Sequence, residues 1–193
     1  MMRDALTPCK QLNSSVTAHQ TIFELVLEGK LMIEIHIIPI KELYSLLEET
    51  SIDNSVAVIA SSEESDSQKI PILHIVEYFD DIDREIYGRS MSLEQASRYA
   101  QFVIGLDNSV SHIYCCCQSA QSRSVAIASA LYKYYGDNTL AYRIWKNPIY
   151  SPNLYVFLLL CEALGVGFEY VEFDALIEAN RQAIHKAIQR SRN

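Results

Sequence analysis

Cys117 stands six positions before Arg123, with Gln118, Ser119, Ala120, Gln121 and Ser122 between them and Ser124 directly after. Upstream, Ser111 to Cys116 reads as a strand; downstream, Val125 to Tyr135 reads as a helix. A cysteine, five residues, an arginine and a hydroxyl residue at a strand-to-helix junction can hold a phosphate against a thiolate. The intervening residues wrap into a loop whose backbone N–H groups point inward, and the helix turns the positive end of its dipole to the same point. Arg123 adds a planar fork that matches two phosphate oxygens. The same field favours the thiolate form of Cys117, which makes it the nucleophile. Ser124 reads as a hydroxyl bonded to that sulfur, easing its later departure from phosphorus. The phosphate-binding set is then Gln118, Ser119, Ala120, Gln121, Ser122 and Arg123. A bare arginine in the first turn of a helix opposes the dipole, and an anion in the loop removes the conflict.

A thiolate attacking phosphorus needs a proton donor for the leaving oxygen, and little else beyond positioning and charge stabilisation. The carboxylates after the predicted strand Ile70–Phe79 are the natural source: Asp80, Asp81 and Asp83. In a parallel sheet they sit at the carboxyl end of a strand, as Cys117 does, and ligands bind at that end.

The segment Cys117–Ser124 resembles the signature of the cysteine-dependent protein tyrosine phosphatases, especially the compact dual-specificity-like phosphatases. Phe79-Asp80-Asp81-Ile82-Asp83 and Tyr150-Ser151-Pro152-Asn153-Leu154-Tyr155 are similar to stretches of small bacterial members, so the resemblance covers roughly residues 31–166. It implies a phosphatase-like fold and phosphomonoester hydrolysis through a phosphocysteine, on phosphotyrosine or phosphoserine and phosphothreonine of proteins. It also places the general acid on Asp81, with Asp80 second. Two positions depart from the family pattern: Cys116 stands where a histidine is usual, and Ala120 where a glycine is usual. A glycine there tolerates backbone angles and a close ligand approach that a Cβ obstructs. The departures bear on catalytic rate rather than on fold. The alternative they open is a weak or inactive phosphate-binding module that acts as an interaction partner.

Composition agrees with one enzyme domain. The chain has 193 residues, 49% hydrophobic and 21% charged, enough for one substantial core. Its net charge of −8 speaks against a nucleic-acid partner and requires a locally basic pocket for an anionic substrate. That substrate is a phosphorylated protein or a small phosphate ester. No stretch approaches the roughly 20 apolar residues of a membrane span. The five cysteines are Cys9, Cys115, Cys116, Cys117 and Cys161, three of them consecutive, which suits a reducing compartment better than a disulfide framework. With no apolar secretory core at the start, the expected location is cytoplasmic. Consecutive cysteines on a strand point to alternate faces and no second ligand cluster accompanies them, so no metal and no cofactor is expected. His74 and His112 read as structural.

The elements that must position these residues alternate between strand and helix. Residues 1–20 read as a loose segment, and 21–193 as the catalytic domain with a final helix over 169–190. Apolar spacing predicts a helix over His19–Glu28, a strand over Leu31–Ile40, a helix over Lys41–Glu49 and a buried strand over Val56–Ala60. Ser61–Lys69 is a polar acidic loop where mobility is expected. Ser92, with Gln95 three residues on, caps a helix that runs to about Ile104. Strand His112–Cys116 delivers the signature, and helices follow at Val125–Tyr135, Leu140–Lys146 and Asn153–Leu164. Tyr150–Asn153 reads as a cap for the last of these. Short buried strands interleaved with helices predict an α/β fold: a mainly parallel central sheet with helices on both faces.

Overall fold

The computed structural model describes residues 21–24, 33–49, 55–62, 66, 68–167 and 170–190. Within them lie five strands: β1 (Thr21–Glu24), β2 (Glu34–Pro39), β3 (Val56–Ser61), β4 (Leu73–Glu77) and β5 (His112–Cys117). The helices are α1 (Ile40–Glu49), α2 (Leu93–Ile104), α3 (Arg123–Tyr134), α4 (Asn138–Trp145), α5 (Leu154–Ala163) and α6 (Tyr170–Arg190).

The strands form one sheet in the order β1-β2-β5-β3-β4. β2, β5, β3 and β4 are parallel, and β1 runs antiparallel along the edge of β2. A parallel sheet must be covered on both faces, because its connections cross back over it. Side-chain alternation divides the work. Ile35, Ile37, Ala57, Ile59, Ile113 and Cys115 face the larger core, where Tyr99, Val125, Ile127, Leu131 and Phe157 supply the helical side. Ile38, Val58, Ala60 and Cys116 face a smaller core closed by Ile40 and Leu43 of α1 and by Ile70. The predicted α/β architecture, a mainly parallel sheet with helices on both faces, is the observed one.

Cys115 and Cys116 thus occupy opposite faces, both fully buried. Burial, with the neighbouring cysteines second, raises both thiols well above their ordinary range and leaves them inert. His36 is buried on the α1 face, its ring stacked on Tyr114 with centroids 4.4 Å apart. Burial first, and then His112, holds its imidazole down to about 4.

The carboxyl ends of the parallel strands meet on one side of the sheet. There Ile40 opens α1, Ser61 ends β3, Phe79 follows β4 and Cys117 ends β5 in register with Pro39. α3 is buried on nearly every side from Ser124 to Lys133, as a helix packed between sheet and outer helices must be. α6 docks through Asn180, whose Nδ2 donates to the carbonyls of Trp145 (3.0 Å) and Tyr150 (3.1 Å). Among the described residues no helix is long and apolar enough to cross a membrane.

Two expectations are corrected. Thr21–Glu24, inside the predicted helix His19–Glu28, is a strand paired with Ile37–Glu34 of β2. A run this short fits either period, and pairing along an open sheet edge decides it. The strand expected over Ile70–Phe79 is confined to Leu73–Glu77: Ile70 turns into the smaller core, and Phe79 packs edge-on against Tyr99. The N-terminal segment 1–20 and residues 63–65 and 67 of the expected mobile loop lie outside the described residues.

The capping box of α2 is formed as expected. Gln95 N–H donates to the Ser92 hydroxyl (3.2 Å), Ser92 N–H donates to Gln95 Oε1 (2.9 Å), and Gln95 Nε2 reaches the Tyr78 carbonyl (2.8 Å). Ser92→Ala should cost ~1 kcal/mol in chemical denaturation, and Ser92→Gly only a few tenths. An equal cost for both would mean that the hydroxyl does not cap.

Candidate active site

β5 ends on Cys117 and, after five intervening residues, Arg123 begins α3, so the loop spans a strand end and a helix start. Ser151 N–H donates to the Gln121 carbonyl (2.9 Å), which ties the loop to the turn before α5. Ser122 occupies the N-cap of α3 but its hydroxyl caps nothing. It donates instead to Asp81 Oδ1 at 2.7 Å. The first N–H groups of α3 therefore have no side-chain cap, the state in which a helix start receives an anion.

Cys117 is 2% exposed and lies 3.1 Å from the Ser124 hydroxyl, which is fully buried on the first turn of α3. A hydroxyl at this distance can donate to a thiolate. Its own position is fixed because the helix holds it.

Arg123 is anchored through one nitrogen. Nη1 donates to the Phe79 carbonyl (2.9 Å) and to the Ser61 hydroxyl (3.2 Å), joining the ends of β4 and β3 to the start of α3. Nε is buried with no hydrogen-bond partner. A buried guanidinium N–H without an acceptor is costly, so that edge of Arg123 is disposed to take an acceptor from the cleft.

Ala120 is the single non-glycine with positive φ among the described residues, at 55°. It is the position where the resemblance calls for glycine. Left-handed backbone costs an L-residue about 1–2 kcal/mol, and the loop holds Ala120 there with its methyl buried in the larger core.

The three candidate carboxylates separate clearly. Asp81 is bound to the loop by Ser122 and also accepts from Asn153 Nδ2 at 2.7 Å. Asn153 has two tasks: its Oδ1 caps α5 by accepting from Val156 N–H (3.0 Å), while Nδ2 orients Asp81 and reaches the Ile82 carbonyl (3.1 Å). Asp80 is paired with Arg89, whose Nε lies 2.8 Å away. Asp83 is exposed along a groove that it shares with Asp81, Ser119, Gln121 and Pro152, and it lines no part of the cleft beside Arg123.

A cleft of about 480 Å³ opens beside these groups. Arg123, Gln118, Asp80 and Asp81 line one side, and Lys41, Tyr44, Asp66 and Lys69 the other. Lys69 pairs with Asp66 at 2.9 Å, and Ser62 donates to the same carboxylate. The cleft thus holds three cations, Lys41, Lys69 and Arg123, and three carboxylates, Asp66, Asp80 and Asp81, so the locally basic pocket expected for an acidic chain is not found as a net charge. Ser61, Lys41 and Lys69 were not singled out from the sequence as parts of the site, and Asn153, read as a helix cap rather than a pocket residue, serves as both. Only the position of Ser61 at a parallel strand's carboxyl end could have signalled it.

No family profile matches the chain, and no curated protein sequence matches it. Solved structures that a structural comparison matches to this chain include a mouse protein described as a putative dual specificity phosphatase, in complex with zinc tungstate. It is 14% identical, with 92% of this chain and 96% of that one covered and a TM-score of 0.42. PTPMT1 in complex with PI(5)P is 12% identical over 80% of this chain and 94% of that one, at a TM-score of 0.36. Tk-PTP in the active form is 13% identical over 77% and 91%, at 0.34. At such identities and scores, the chemistry has to be argued from the site itself.

Ala120→Gly changes three contributions of similar size. Relief of the positive φ gains about 1–2 kcal/mol, the lost buried methyl costs about 0.8, and the freer unfolded chain costs about 0.4–1. The variant should fall within about 1 kcal/mol of neutral in chemical denaturation. Ala126→Gly, equally buried but helical, should cost roughly 1.5–2 kcal/mol. Equal losses at both positions would mean that Ala120 is unstrained.

Proposed function

We propose that the protein hydrolyses phosphate monoesters through a phosphocysteine intermediate. The observation that carries this reading is Arg123: one nitrogen is fixed by the protein, while its buried Nε faces no partner beside the Cys117–Ser124 pair. In the first step the Cys117 thiolate attacks phosphorus and an S–P bond forms. The P–O bond to the leaving group breaks, and Asp81 gives its proton to the departing oxygen. The Gln118–Ser122 amides and the Arg123 fork hold the equatorial oxygens, whose charge is spread in the transition state. In the second step water gives a proton to Asp81 and attacks phosphorus. The S–P bond breaks, and the Ser124 hydroxyl stabilises the returning thiolate.

Asp81 is favoured over Asp80 and Asp83 because its carboxylate is already oriented at the loop by Ser122 and Asn153, while Asp80 is engaged by Arg89. The substrate class is a phosphorylated protein side chain, on tyrosine or on serine and threonine, or a small phosphate ester. Arg123, which donates to the neutral oxygens of Phe79 and Ser61, supports an anionic ligand. The strained Ala120 favours a second reading, a slow or inert phosphate-binding module, because a loop that relaxes there misplaces the amides.

Steady-state hydrolysis of an aryl phosphate separates these readings. Turnover should be lost in Cys117→Ser and largely kept in Cys116→Ala, whose thiol faces the α1 core. Wild-type protein that binds phosphate without turnover would support the inert module.

The acid is tested by changing the leaving group. Asp81→Asn should slow alkyl phosphates by about 10²- to 10⁴-fold and activated aryl phosphates far less, since a poor leaving oxygen depends on protonation. If Asp80→Asn shows that pattern and Asp81→Asn does not, the acid is Asp80.

A further inference from the structure

A second cluster of chemistry-bearing side chains lies at the opposite, amino-terminal end of the same two central strands. Glu34 and His36 are two residues apart on β2 and so share a face, and His112 stands in register with Glu34 on β5. Three ligand atoms converge there. His36 Nε2 lies 3.2 Å from His112 Nδ1 and 3.6 Å from Glu34 Oε2, and His112 Nδ1 lies 3.5 Å from the same oxygen.

Those separations have a specific geometric meaning. Nitrogen and carboxylate ligands bind zinc at about 2.0–2.2 Å, and tetrahedral ligands at that radius are about 3.3–3.6 Å from one another. Two edges of this cluster, 3.5 and 3.6 Å, fall in that range, and the third, 3.2 Å, lies just below it and is also a hydrogen-bond distance between the two rings. The cluster is also held in place: Glu34 and His36 are on a strand paired on both sides, and the Tyr114 ring stacks on the His36 imidazole. Glu34 and His112 are partly exposed, with side chains 26% and 37% accessible, which leaves an entry path and room for a water.

We propose that Glu34, His36 and His112 form a binding site for a first-row divalent metal ion, zinc by its donor set, with water in the fourth position. Five residue steps along β5 separate His112 from Cys117, about 17 Å of strand. The ion is therefore remote from phosphoryl transfer, and its effect is to clamp β2 to β5. His36 Nδ1 is buried without a partner, so the site lacks the outer acceptor that ligating histidines usually have. That lack weakens binding by about 10- to 100-fold relative to a fully supported site.

The test uses full-length protein carrying Cys117→Ser, which removes the reactive thiolate as a competing ligand, stripped with chelator and titrated with cobalt(II) and then zinc(II). One equivalent of cobalt should give the visible bands of a tetrahedral ion without an intense thiolate-to-metal charge-transfer band. Zinc should displace it and raise the thermal midpoint. His112→Gln and Glu34→Gln, at partly exposed positions, should each abolish the cobalt spectrum at equal metal while keeping the metal-free midpoint. Absence of saturable binding at micromolar protein, a charge-transfer band, or binding that survives both substitutions would each overturn the proposal. If a variant fails to fold, the parent protein's spectrum and stoichiometry decide alone. Neither arm measures turnover, so the outcome is independent of the phosphatase reading.

Discussion

A guanidinium with one edge bonded to protein and the other buried without an acceptor is the constraint on which the rest of the site depends. Arg123 reaches the Phe79 carbonyl after β4 and the Ser61 hydroxyl at the end of β3. One side chain thereby draws the carboxyl ends of two parallel strands to the start of α3. The neighbouring strand, β5, ends on Cys117 beside that point. Burial of such a group without compensation costs several kcal/mol. The hydrogen bonds through Nη1 satisfy part of it, and the proposed oxyanion on the remaining edge would satisfy the rest.

The same tension recurs around the loop. Ser122 leaves its capping task and binds Asp81, and Asn153 divides its amide between capping α5 and orienting that carboxylate. Ala120 adopts a backbone angle better suited to glycine. Local rules of helix capping and backbone preference are broken here and kept at α2, where the capping box is complete. Departures concentrated at one point of an otherwise consistent fold are the pattern expected at functional or strained sites.

The legible part of this molecule was the part encoded at short range. Cys117, Arg123 and Ser124 are fixed relative to one another by a strand end, a short loop and one helical turn, so their spacing sufficed. The Asp80–Asp83 cluster was legible because it follows a strand whose carboxyl end had to face the same cleft. Choosing among its members needed Ser122 and Asn153, which are 41 and 72 residues away from Asp81 in sequence. Ser61 reads as an ordinary strand-end serine until Arg123 arrives from 62 positions on. The Glu34–His36–His112 cluster depends on the register between β2 and β5, which no local pattern carries. β1 was misread for the related reason that a four-residue strand takes its structure from its partner.

On the proposed reading, the planar fork of Arg123, and not merely its charge, makes this loop an oxyanion site. Calorimetric titration of phosphate into Cys117→Ser protein, with and without Arg123→Lys, tests it most directly. Lysine keeps the charge and loses the bidentate geometry. Stoichiometric binding to Cys117→Ser that weakens by about ten- to a hundredfold with Arg123→Lys is the predicted result, matching the usual strength of hydrogen bonds to charged groups. No phosphate binding by Cys117→Ser, or binding unchanged by Arg123→Lys, would contradict it.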